Sequence, residues 1–203
     1  KVVADFWQKA LDDKSAVTAA RWSDAYTKNL VSGKLIGNIA PAWETGFMLD
    51  ALDKTSYHGQ WHVAQLPSFG GSDVTGPDGG SGVAVVEGCK YAAQAMQFND
   101  WFNTQVNDLA TQGLVPAAKG QVTTPEKMKK QFGGQDVMAE LAKANERLAP
   151  QFGYIPGFAV VGTKMNEKGA EAASGKAKVA DIFQTAQDTS VQVLKDAGLP
   201  ING

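Results

Sequence analysis

Trp43 and Glu44 stand side by side in the run Pro41-Ala42-Trp43-Glu44-Thr45-Gly46, a flat apolar ring next to a carboxylate. Such a pair suits a sugar: the indole covers apolar C–H faces while the carboxylate accepts hydrogen bonds from hydroxyls. The same ring suits core packing equally well, because tryptophans are among the more buried residues on average. Asp78 opens a second chemistry, since two carboxylates facing a cleft are the acid and the nucleophile or base of a glycoside hydrolase. With 21 Asp and Glu in the chain, nothing in the spacing singles out Glu44 and Asp78 as such a pair. The glycine-rich stretch from Gly70 to Gly82 could cradle an anion through its backbone N–H groups, but it lacks the lysine that completes a phosphate site. A plain connector is the alternative reading. His58 and His62 are four apart, as two metal ligands on one helix would be. Gly59 and the alternation over Trp61 to Leu66 put them instead on a loop and a strand.

Other chemistries lack their residues. No Walker-type glycine loop ends in Lys and Ser or Thr, and there is no His-Glu-x-x-His, so nucleotide hydrolysis and zinc proteolysis find no support. Cys89 is the sole cysteine, which excludes an internal disulfide and a multi-thiolate zinc site. Nineteen Lys and Arg against 21 Asp and Glu leave a net charge of −2, so no basic field invites nucleic acid. The longest apolar runs, such as Val83 to Val86, fall far short of the ~20 residues of a spanning helix. Hydrophobic residues at 43% and charged ones at 20% over 203 residues describe a globular chain of one large domain or two small lobes. Lys1 opens directly into an amphipathic pattern, without a start Met or signal region, as expected of a processed or truncated chain.

The elements that must position these residues follow from periodicity. Val3, Phe6, Trp7, Ala10 and Leu11 form one stripe of an N-terminal helix, and a second helix is predicted over Trp22 to Leu30. Leu35 to Ala40 reads as a buried strand that Pro41 breaks, so Trp43 sits just past the carboxyl end of a strand, where open α/β sheets hold their ligands. A short helix follows from Trp43 and Glu44, with Phe47, Met48 and Leu49 as its apolar residues. Trp61 to Leu66 and Gly82 to Val86 are further strands, flanking the long loop from Ser68 to Gly82. A helix from Gln94 to Asn103 buries Ala95, Phe98, Trp101 and Phe102 in this reading. Beyond Gly113 the pattern is helical: Pro125 to Phe132 capped by Thr124, Val137 to Leu148 capped by Asp136, then Phe158 to Ala173 and Val179 to Leu194.

Three stretches carry a resemblance: GKLIGNIAPAWETG (Gly33 to Gly46), GQWHVAQLPSFGG (Gly59 to Gly71) and GGSGVAVVEGCKYAAQAMQF (Gly79 to Phe98). GLVPA (Gly113 to Ala117) and the AASG turn (Ala172 to Gly175) continue it in the same order. Together they resemble the carbohydrate-type extracellular solute-binding proteins of ABC importers, the group that includes maltose-binding protein. The resemblance implies an α/β, periplasmic-binding-protein-like type II fold, helix-rich, of which this chain is the carboxy-terminal half. Residues 1–82 and 123–203 then belong to the carboxy-terminal lobe, and 83–122 cross into the amino-terminal lobe. The upstream half of the same protein is missing from a chain about half the family's length. The resemblance further implies capture of a mono- or oligosaccharide in an interlobe cleft for an ABC permease, without catalysis, cofactor, metal or nucleic acid. The setting it implies is extracytoplasmic, either lipid-anchored to the outer face of the cell membrane or periplasmic. A binding protein of the same fold for a non-sugar solute, or a glycan-cleaving enzyme, are the alternatives. Residue by residue, it assigns Trp43 to ring stacking and Glu44 to a hydroxyl contact. Asp78, Gly79, Gly80 and Ser81 fall on the cleft floor, and Tyr154 or Phe158 on a second aromatic position.

Overall fold

The computed structural model describes residues 1–68, 70–150 and 153–201. Phe69 of the Leu-Pro-Ser-Phe motif and the side chains of Phe47 and Leu49 lie outside the described part. The chain divides into two compact units, one of Lys1–Arg21 with Gly153–Gly203 and one of Trp22–Phe152.

The first unit is helical. Helices α1 (Val2–Asp12), α8 (Phe158–Ala173) and α9 (Val179–Asp196) match the predicted spans closely, and both α1 and α8 pack on α9. Gln8 of α1 accepts a hydrogen bond from the backbone N–H of Val179 at 2.9 Å, satisfying one of the donors left over at the start of α9. Asp181 takes the N–H of Lys178 at 2.8 Å.

The second unit carries α2 (Asp24–Val31), a 3-10 turn (Ala42–Glu44), α3 (Thr45–Met48) and a second 3-10 turn (Leu49–Leu52). Helices α4 (Ala92–Asn103), α5 (Val106–Thr111), α6 (Glu126–Gln131) and α7 (Val137–Glu146) follow. Ser23 caps α2 by accepting from Tyr26 N–H at 3.2 Å. Leu30, Leu52, Ala110, Met128, Phe132, Val137, Met138 and Leu141 form the core, flanked by Trp61, Val63 and Met48. Two glycines let its backbones meet: a Cβ on Gly113, whose φ is +78°, would lie 2.6 Å from the Cα of Gly46.

Three expectations change. Among the described residues there is no β-ladder at Leu35 to Ala40, Trp61 to Leu66 or Gly82 to Val86, and the one bridge joins Thr75 to Leu148 in parallel. A strand needs a neighbour to pair with, and these segments have none among the described residues. Residues 61 to 66 nevertheless alternate half-buried and exposed in the manner of a strand. Gln135 stands in for the neighbour on one edge, accepting from Val63 N–H at 2.8 Å and donating to its carbonyl at 2.7 Å. Thr124 does not cap α6, where Pro125 takes that position; its hydroxyl accepts from Met138 N–H at 2.9 Å and donates to Asp136. It therefore reinforces the start of α7, where Asp136 also accepts from Ala139 N–H. Finally, α4 buries none of its residues, and Phe98, Trp101 and Phe102 are exposed, because no described element covers its apolar face. Helix α5 was not signalled by the sequence pattern.

Candidate ligand-binding site

Pro41 ends the segment that leads to Trp43, and the chain turns at once through Ala42–Glu44, with the Thr45 hydroxyl donating to the Ala42 carbonyl at 2.7 Å. This tight turn presents the Trp43 ring half-buried. Its indole N–H donates to the backbone carbonyl of Asp78 at 2.9 Å, across 35 residues of sequence. Gly79 permits that contact: its φ is +85°, and a Cβ there would sit 3.2 Å from the indole nitrogen. The glycine-rich loop thus meets the tryptophan edge-on and leaves the ring faces to other neighbours.

One neighbour is Trp22, whose ring centroid lies 5.6 Å from that of Trp43 at 50°. Trp22 is 56% exposed and adopts a φ of +63°, a left-handed backbone conformation that is costly for a bulky residue and is tolerated chiefly where function or packing demands it. The two rings line a cavity of about 520 Å³ with Tyr26, Leu30, Met48 and Ala51. Its walls are apolar and aromatic, with few polar groups, in the manner of small-molecule sites. Sequence reasoning missed Trp22, because no local pattern links it to Trp43. The one available signal was an aromatic directly before the Ser23 helix cap, a position whose side chain packs onto the first turn of the helix.

Glu44 lies elsewhere than a hydroxyl contact requires. It is completely buried and accepts from the Tyr26 hydroxyl at 3.4 Å and from the Asn38 amide at 3.3 Å. It anchors the turn beneath Trp43 to α2. A pair of solvent-facing carboxylates for glycoside cleavage is therefore not formed by Glu44 and Asp78 here. Gly80 and Ser81 are exposed just beyond Gly79, and Gly80 has a φ of +117° with open space where a side chain would be. Tyr154 and Phe158 belong to the other unit, where their rings pack against each other at 4.7 Å and both are exposed.

His58 takes a structural position. His58 Nδ1 is 3.4 Å from Asp53, which also accepts from the buried Gln131 amide. Among the described residues no group of three or more His, Cys, Asp or Glu could hold a metal ion, and no helix is long and apolar enough to cross a membrane.

No protein-family model matches the sequence, and no curated protein matches it. A solved structure does, with 48% sequence identity over 98% of this chain and a TM-score of 0.92, and it is a binding protein of an ABC transporter. The chain belongs to the carbohydrate-type solute-binding proteins of ABC transporters, and has their type II binding-protein fold as far as it extends. The matching structure is the galacto-N-biose/lacto-N-biose I-binding protein of Bifidobacterium longum, in complex with lacto-N-biose. This chain spans about half the length of that protein, 50% of it.

Proposed function

We propose that the protein carrying this chain is the substrate-binding subunit of an ABC importer, and that it captures a mono- or oligosaccharide without altering it. The carrying observation is the Trp43 ring, fixed edge-on by the Asp78 carbonyl and flanked by Trp22 over an apolar cavity. A rigid aromatic wall suits the C–H face of a pyranose, and immobilising the ring beforehand lowers the entropy cost of binding. Asp78, Gly80 and Ser81 supply polar contacts at the loop, and Glu44 supports the wall from beneath. By the family likeness Tyr154 and Phe158, whose rings pack against each other, are further candidate ligand residues. A disaccharide of the lacto-N-biose kind is the first ligand to try, since the neighbour at 48% identity holds that sugar.

The lobe assignment proposed on the same reading is 1–82 and 123–203 in the carboxy-terminal lobe and 83–122 in the amino-terminal one, with Ala110 and Gly113 of the latter packed on the core of the former. The exposed apolar face of α4 then packs in the lobe completed by the upstream half. That half also supplies the missing strand. A groove of about 570 Å³ runs between residues 33–41 and 60–66, and with Val63 already bound by Gln135, the N–H and C=O groups of His62 and Ala64 point to the opposite edge. One extended segment would satisfy them. The partners are the sugar and a membrane permease, and the setting is extracytoplasmic, lipid-anchored or periplasmic.

Calorimetric titration of the full-length protein with a panel of mono- and oligosaccharides tests this. One sugar is expected to bind saturably, and Trp43→Ala to weaken it by about 1–3 kcal/mol, roughly five- to 150-fold in Kd. Absence of heat with every sugar, in a folded protein, would return the site to a non-sugar solute.

A further inference from the structure

We propose that Arg147, at the far end of α7, is a positioning residue for the Trp43 indole: it latches the glycine-rich loop, and the loop holds the ring. This rests on the reading of Trp43 as the ligand wall. Arg147 follows the last residue of α7 and its side chain is only 20% exposed. Its guanidinium grips the start of the loop and the residues just before it. Nη2 forms an ion pair with the Asp73 carboxylate and donates to the Leu66 carbonyl at 3.4 Å. Nε donates to the Asp73 carbonyl at 3.3 Å, and Nη1 to the Gln65 side-chain oxygen at 3.2 Å. Gln65 in turn donates to the backbone carbonyl and the carboxylate of Glu140 on α7, at 2.8 and 2.9 Å. A planar fork reaching several acceptors at once is a role for arginine that an ammonium cannot fill.

The backbone continues the grip. Thr75 N–H donates to the Arg147 carbonyl at 2.8 Å and Ala149 N–H donates to the Thr75 carbonyl at 2.9 Å. This is the one β-bridge among the described residues. From Thr75 the chain reaches Asp78 through Gly76 and Pro77, a span of at most ~10 Å whose proline fixes one dihedral. The Asp78 carbonyl is therefore placed by α7, and that carbonyl takes the Trp43 indole proton. Trp43 itself stands on a three-residue turn, so this tether and the packing of Trp22 together set its ring orientation.

The test uses the full-length protein with ¹⁵N in its tryptophan indoles, the Trp43 signal being assigned by its loss in Trp43→Phe. Arg147→Ala is expected to move the Trp43 indole signal and speed its hydrogen exchange at least tenfold while the other indoles stay in place. Arg147→Lys should give an intermediate shift, and Asp73→Ala a smaller one in the same direction. Sugar affinity should fall several-fold in Arg147→Ala. An unmoved Trp43 signal in Arg147→Ala overturns the latch. A moved signal with unchanged sugar affinity leaves the latch standing and overturns the reading of Trp43 as the ligand wall. If Arg147→Ala disturbs every indole, Asp73→Ala decides: its carboxylate is exposed, so an unmoved Trp43 signal there rejects the latch.

Discussion

Phe132 and Phe98 are the same residue type in the same unit, and they fare in opposite ways. Phe132, after α6, is 2% exposed within a core closed by α7, whereas Phe98 on α4 is 56% exposed beside the similarly exposed Trp101 and Phe102. Both fall in spans that the sequence predicts as helical, and Phe132 stands just past the last residue of α6. The difference teaches that periodicity announces a face to be covered, and the cover can come from outside the chain. Around Phe132 it comes from Leu30, Leu52 and Met128. Around Phe98, the proposed upstream half supplies it.

The contrast can be broken most forcefully at the core. Phe132→Ala should cost about 3–5 kcal/mol of stability in urea unfolding, the usual loss for an emptied phenylalanine site. A loss below ~1 kcal/mol would mean that the core is loosely packed. Next, Gly113→Ala should cost about 1–3 kcal/mol, from a left-handed backbone and the clash with Gly46. Thr124→Val, removing the hydroxyl that serves Met138 N–H and Asp136, should cost about 1–2 kcal/mol by the same measurement.

Acid sharpens the same corner. The Thr124 hydroxyl, followed by the Ala139 N–H, holds the Asp136 carboxyl below the usual carboxylate range. A carboxyl lowered by folding contributes stability that is complete above its ordinary pKa and is lost as pH falls through the lowered folded value. A series of melting temperatures from neutral to strongly acid pH should decline in the wild type, and Asp136→Asn should flatten part of that decline. The smallest effect belongs to α4. Phe98→Ser on the 203-residue chain should change unfolding stability by less than ~0.5 kcal/mol, as for other surface sites. In the full-length protein it should cost clearly more, and equal effects in both would remove the case for a cover from upstream.

Much of the helical framework was legible in the sequence. Phe158 to Ala173 was read with the bounds that α8 has, and Asp136 was read as the cap of α7, because both signals are local: a stripe, a glycine before it, a carboxylate one turn short of free N–H groups. Trp43 was legible as a candidate through its place after Pro41. Thr124 was misread because a hydroxyl before a proline suits the adjacent helix as well as a distant one. Glu44 was read as a hydroxyl contact for the sugar, while Tyr26 and Asn38 hold its carboxylate from segments whose approach no spacing encodes.

The amino-acid sequence by itself determined every helix but α5, the turn after Pro41, the aromatic at its tip and the family motifs, since each depends on neighbours within a few residues or on words that survive in order. The tertiary structure alone decided that Trp22 flanks Trp43, that the Asp78 carbonyl takes the indole proton, and that Arg147 grips the loop which carries it. Those contacts join residues far apart in the chain, and a hydrogen bond of 2.9 Å is set by where folded backbones meet.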